Sequence, residues 1–168
     1  MRSRWLLVAV AAASLAGCGT QFGWRRARLA PWGLRLGYVD FSGFEQAELD
    51  DRPALGAYSR VHSTGAVTIE ASIDAAVDAA APEWQLYAVG LSALVLPSNQ
   101  ADLYVHVGGG ALIENTPQSS YTAGYVSYGV GYSIRTPATR IDVRASWWQI
   151  LESANSSTAM ALTVGYGF

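Results

Sequence analysis

Met160-Ala161-Leu162-Thr163-Val164-Gly165-Tyr166-Gly167-Phe168 ends the chain on a strict alternation. Every even-numbered position is apolar or aromatic, and every odd-numbered position after Met160 is Ala, Thr or Gly. A period of two is the geometry of a β-strand, whose successive side chains point to opposite faces. Leu162, Val164, Tyr166 and Phe168 therefore share one face of one strand.

Working back from this segment, the same period recurs as far as Trp32, broken at intervals by turn residues, and it predicts eight antiparallel strands and no helices. They are expected at about 32–41, 53–63, 66–75, 84–96, 101–112, 122–135 and 139–151, followed by the closing strand. The clearest hairpin turns at Thr64-Gly65 into Val67, Ile69, Ala71 and Ile73, which alternate with Thr68, Glu70, Ser72 and Asp74. Tight turns follow strands two, four and six, at Thr64-Gly65, Pro97-Ser98-Asn99-Gln100 and Thr136-Pro137-Ala138. Longer loops are expected after strands one, three, five and seven, near 42–52, 75–83, 113–121 and 152–157. Short turns at one end and long loops at the other are the pattern of membrane-spanning barrels.

The other end of the chain carries Met1-Arg2-Ser3-Arg4, an apolar run from Trp5 to Ala13, and Ser14-Leu15-Ala16-Gly17-Cys18. A basic head and a short apolar core are the marks of an export signal. The run is too short for a transmembrane helix, which needs about 20 apolar residues. Leu15-Ala16-Gly17-Cys18 resembles the lipobox of bacterial lipoproteins. The resemblance implies cleavage after residue 17 by lipoprotein-processing enzymes and a lipid on Cys18, which is also the only cysteine, so no disulfide forms within the chain. Gly19 stands where an Asp would resemble an inner-membrane retention signal, which favours the outer membrane. The expected organisation is a signal at 1–17, a lipidated tether at 18–31 and a barrel at 32–168. Arg25, Arg26 and Arg28 beside Trp24 suit a tether lying near anionic headgroups or free in solvent.

Loss of residues 1–17 takes Arg2 and Arg4 with it and shifts the formal charge from −2 to −4, which argues against nucleic acid as a partner. The length supports one domain. Half the residues are apolar while only 14% are charged, a balance suited to a surface that faces hydrocarbon.

The closing alternation and its terminal aromatic resemble the C-terminal signature of bacterial outer-membrane β-barrels, nearest to the eight-stranded group typified by the OmpA membrane domain and OmpX. Thr163 departs from the glycine usual there, and the lipobox departs from most such barrels. The resemblance implies an all-β, up-and-down transmembrane barrel, with Leu162, Val164, Tyr166 and Phe168 read by the barrel-insertion machinery. Outer-membrane lipid and lipopolysaccharide would be its surroundings. In hydrocarbon every backbone donor and acceptor must be paired internally, so a sheet can span only if it closes. Tyr38, Trp84, Tyr87, Trp147, Tyr166 and Phe168 fall near strand ends, where they suit interfacial girdles.

Eight strands leave an interior that side chains fill, so no open pore is expected. Arg35, Arg60, Glu70, Asp74, Asp102, Asp142 and Arg144 are assigned to that interior as a polar network, since Arg on the lipid face would cost about 2–4 kcal/mol at mid-bilayer. Gly108, Gly129 and Gly131 would make room for larger neighbours.

Catalysis has two histidine candidates, His62 and His106, both assigned inward. His106 with Ser127 and Asp102 would be the hydrolase arrangement of a lipid A-modifying barrel, although no local motif marks a nucleophile. The two histidines are far apart and the cysteine is the acylation site, so no metal-ligand spacing exists and no cofactor is expected. A second alternative is a lipocalin-like periplasmic lipoprotein that binds a ligand, in which inside and outside are reversed. The expected function is that of a non-enzymatic outer-membrane barrel lipoprotein, structural or acting through its loops.

Overall fold

The alternation of β-branched and aromatic residues with small or polar ones is realised as eight strands: β1 Trp32–Asp40, β2 Arg52–Thr64, β3 Val67–Val77, β4 Gln85–Val95, β5 Leu103–Asn115, β6 Ser120–Arg135, β7 Arg140–Leu151 and β8 Ser156–Gly167. The computed structural model describes residues 29–40, 52–64, 66–77, 85–96, 102–135, 139–151 and 156–168. The signal segment, Cys18, the acidic loop after β1, Trp84 and the turns at 97–100 and 136–138 lie outside them, as do most of the loops expected near 75–83 and 152–157.

Each strand pairs antiparallel with its sequence neighbours, and β1 pairs with β8, from Gly33↔Gly167 to Asp40↔Met160, to close the barrel. The seam extends one residue beyond β8, because the Phe168 amide donates to the Trp32 carbonyl at 3.0 Å. The Phe168 ring also stacks on Trp32 with centroids 4.6 Å apart. The start of β1 and the end of β8 thus lie at one end of the barrel, here called the terminal end; the end of β1 and the start of β2, with the strand ends at the same level, lie at the other, here called the loop end.

The pleat divides the residues cleanly. Leu34, Leu36 and Tyr38 of β1 and Leu162, Val164 and Tyr166 of β8 point out, with Leu36 66% exposed. Arg35, Arg60, Glu70, Asp142 and Arg144 point in and are buried. The polar face is inside and the apolar face outside, opposite to a soluble barrel.

Besides Asp102, which lies at the rim and outside the ionic interior, two expectations about the strands require correction. His62 does not point inward: the β2–β3 register shifts between Arg60 and His62, pairing His62 with Ile69, and His62 is exposed. A bulge inserts one unpaired residue and so reverses the faces beyond it. The second is the loop at 113–121, which is mostly strand. β5 and β6 remain paired to Asn115↔Ser120, and only residues 116–119 connect them. Alternation of apolar residues stops at Ile113, but strands above the apolar band need only the ladder of hydrogen bonds. The turn is held by Thr116, whose amide donates to the Ser119 carbonyl at 2.9 Å and whose Oγ1 accepts from the Ser119 amide at 3.0 Å.

Candidate functional site

Glu70 on β3 is the hub of the barrel interior. Arg144 on β7 grips both its oxygens, with Nη1 donating to Oε1 at 2.8 Å and Nη2 to Oε2 at 3.0 Å. Arg60 on β2 donates from Nε to Oε2 at 3.1 Å, and Arg35 on β1 from Nη1 to Oε1 at 3.4 Å. Two further carboxylates complete the set: Arg35 binds Asp74 through Nε and Nη2, and Arg60 Nη2 donates to Asp142 Oδ2 at 2.7 Å. Three guanidinium groups thus meet three carboxylates, leaving no formal charge among these six. The planar fork of arginine suits such multidentate pairing, which a lysine would make only as a point charge.

Asp102 stands apart from these six. It precedes β5 at the terminal rim, half-buried, where its carbonyl accepts the Ser133 amide at 2.8 Å.

Two tyrosines that sequence reasoning missed finish the network. Tyr58 donates to Asp142 Oδ2 at 3.2 Å while its ring lies under the Arg60 guanidinium, 4.6 Å from centroid to Cζ. Tyr104 accepts from Arg144 Nε at 3.1 Å. Each tyrosine is paired across the ladder with a glycine, Tyr58 with Gly33 and Tyr104 with Gly131. A Cβ at Gly131 would collide with the Tyr104 ring, so only glycine leaves room for the ring to lie flat across its strand. An inward tyrosine facing an inward glycine was the signal available in the sequence.

Toward the loop end the filling turns apolar. Val39, Leu86, Leu112, Tyr125, Trp148 and Ile150, with several alanines, form one buried cluster in which Tyr125 stacks on Trp148 at 5.4 Å. Between this cluster and the ions lies a cavity of about 30 Å³, lined on its polar side by His106, Ser72, Ser92, Ser127 and Ser146. His106 Nε2 is 3.0 Å from Ser146 Oγ, and Nδ1 is buried without a hydrogen-bond partner among the described residues. Ser127 shares the cavity, but Asp102 is at the rim, so the structure does not assemble His106, Ser127 and Asp102.

The outer wall is the counterpart of this interior. Leu34, Leu91, Val107, Val130, Leu162 and Val164 are exposed on it, with Trp32, Tyr132, Tyr166 and Phe168 grouped toward the terminal end and Tyr38 and Tyr87 toward the loops. Tyr128 and Trp147 face each other on the same wall with centroids 6.3 Å apart. Among the described residues no helix is long and apolar enough to cross a membrane. An apolar band with aromatic residues near both margins, around a closed sheet with a polar interior, is the arrangement of transmembrane barrels.

Comparison with solved structures agrees. The N-terminal β-barrel domain of Pseudomonas aeruginosa OprF is similar over 82% of this chain and 96% of its own, with a TM-score of 0.54 and 14% identity. The Yersinia pestis outer membrane protein Ail, in a phospholipid bilayer nanodisc, is similar over 83% of this chain and 99% of its own, with a TM-score of 0.52 and 16% identity. The fold is that of the small outer-membrane barrels. No protein-family model matches the chain, and no curated protein sequence does. At these identities the shared property is the eight-stranded closed barrel itself.

Proposed function

We propose that the chain is an outer-membrane β-barrel lipoprotein with a structural or surface-interaction role and no enzymatic activity. In this reading residues 1–17 are an export signal, Cys18 carries the lipid, residues 18–31 are the tether and residues 32–168 the barrel. The single observation that supports it best is the reversal of faces: an apolar, aromatic-edged exterior around a neutralised ionic interior. Such a wall is stable in hydrocarbon and would aggregate in water. A lipocalin-like soluble barrel requires the opposite arrangement.

The terminal end is then periplasmic, so that Cys18 reaches the inner leaflet. Residues 19–28 separate Cys18 from Leu29, and ten residues extend to at most about 35 Å, sufficient to clear the rim of a small barrel. The insertion machinery would read Leu162, Val164, Tyr166 and Phe168 from the outward face of β8. Interactions with lipopolysaccharide or a surface partner fall to the loop end, including the β5–β6 hairpin. A closed interior supports a role without an open pore. A histidine bonded to Ser146 deep inside the wall supports a role without catalysis, because lipid substrates lie outside it.

The test is expression of the full-length chain in a Gram-negative host, with membrane fractionation, gel mobility of boiled against unboiled samples, and acyl labelling of wild type and Cys18→Ala. An outer-membrane band that shifts on boiling, with label lost in the variant, is expected. Release of the Cys18→Ala protein into the soluble periplasm would overturn the membrane barrel.

A further inference from the structure

The residues that lead into β1 do not run along the outside of the barrel. Leu29 and Ala30 are 3% and 4% exposed, as buried as the core. Leu29 packs in one cluster with Leu94 near the end of β4, Leu96 just beyond it and Tyr104 at the start of β5. In an eight-stranded barrel whose neighbours follow sequence order, β5 lies opposite β1. The chain therefore crosses the mouth of the barrel before it enters the wall.

Three contacts fasten this crossing. The Ala30 carbonyl accepts from Arg60 Nη1 at 2.7 Å, so the arginine that binds Glu70 and Asp142 also holds the segment. The Pro31 carbonyl accepts from the Arg60 amide at 2.7 Å. Ala30 lies against Gly167 of β8, where a Cβ would collide with it. Arg60, Leu94 and Tyr104 are all fully buried, although they stand at the terminal end of their strands. A guanidinium so close to an open end reaches zero exposure only if something covers the opening, and Leu29–Pro31 is what lies across it.

We propose that Leu29-Ala30-Pro31 is a strap that seals the terminal-end mouth and keeps water from the ion network. The strap is continuous with the segment leading to Cys18, so the seal lies between any anchor and the barrel. Withdrawing it opens the mouth while the apolar cluster of Leu112, Trp148 and Ile150 keeps the loop end closed. The strap stands independently of whether Cys18 is acylated or which membrane holds the barrel.

The test uses the full chain from residue 18 with Cys18→Ser and one introduced thiol, folded in detergent micelles so that both ends face solvent. Leu94→Cys reports the mouth, Leu112→Cys the loop-end core and Ser119→Cys the exposed hairpin; the probe is a small charged methanethiosulfonate. Each is compared with and without Leu29→Asp, with boiling-dependent mobility confirming a closed barrel. The expected result is that Leu29→Asp speeds labelling of Leu94→Cys by about tenfold or more, as for a local opening, while Leu112→Cys stays protected and Ser119→Cys labels fast throughout. Equal rates at Leu94→Cys with and without Leu29→Asp would overturn the strap. So would a parallel rise at Leu112→Cys, since the change would then be general loosening and not an unsealed mouth. If Leu29→Asp does not fold, Leu29→Gly is read by the same two comparisons.

Discussion

Around Glu70 the lumen is filled by Arg35, Arg60 and Arg144 with their carboxylates; nearer the loops it is filled by Leu86, Leu112, Tyr125, Trp148 and Ile150. Both regions occupy the same barrel, behind the same apolar wall, yet they should fail differently. An apolar cluster loses stability in proportion to the volume removed, because each contact is weak and replaceable. An ion network is closer to all-or-none, because each deleted charge strands its partners in a place without solvent.

The largest effect is therefore expected at the hub. Glu70→Ala removes the acceptor shared by Arg144, Arg60 and Arg35 and should lower the stability of the folded barrel by about 3–5 kcal/mol. Urea titration in lipid vesicles, followed by the mobility of unboiled samples, measures it. The contrast is sharpened by replacing Arg60, Glu70, Asp142 and Arg144 together with apolar residues of similar volume. This removes two charges of each sign and should restore most of what Glu70→Ala loses. If the fourfold variant is worse than Glu70→Ala, the ions are required as ions and do more than fill the lumen.

The next effect tests whether charge is tolerated only inside. Leu162 is 53% exposed on the outer wall, midway along β8. Leu162→Arg should cost about 2–4 kcal/mol, whereas Leu103→Arg, at the terminal margin of the same wall, should cost about 0–1 kcal/mol. Equal costs in vesicles would mean that the apolar band is not the bilayer-crossing surface.

How far this was visible in the sequence follows from the same physics. The number of strands, their faces and the closing pattern were legible, because alternation is imposed wherever one face meets hydrocarbon. Arg35, Arg60, Glu70, Asp74, Asp142 and Arg144 were placed inside by parity and by the cost of charge on the lipid face; Asp102 was misplaced, because it precedes β5 at the rim. Parity failed at His62, because a bulge changes the count without leaving a mark in composition. It also failed at 113–121, where β5 and β6 continue past the apolar band and need no alternation. Pairwise geometry was not legible. Nothing local indicates that Arg60 bridges Glu70, Asp142 and the Ala30 carbonyl, since those partners are brought together by closure of the barrel. Cys18 and the segment before Leu29 are read from sequence only.

In the apolar half, Ile150 is fully buried in the cluster with Trp148 and Tyr125. Ile150→Ala should cost about 2–3 kcal/mol, toward the lower end for such truncations because the neighbouring aromatic rings and alanines can shift into the space. The same urea titration measures it, and its cost should add to that of Leu162→Arg, which lies on the other face with no shared contacts. A loss as large as that of Glu70→Ala would erase the distinction between the two fillings.

The smallest effect is expected where the two regions meet. Ser146 and His106 form a single neutral hydrogen bond beside the cavity, with neither group in the salt-bridged set. Ser146→Ala removes one partner and leaves His106 Nε2 to find another among the neighbouring serines. The expected loss is about 1 kcal/mol, with mobility of the unboiled band unchanged. The opposing forces are comparable here: the freed imidazole nitrogen is costly if it stays unpaired, but Ser72, Ser92 and Ser127 line the same space. A loss of about 3 kcal/mol or more would mean that this boundary is as rigid as the ion network and that the cavity is held open by His106 and not merely left over between two fillings.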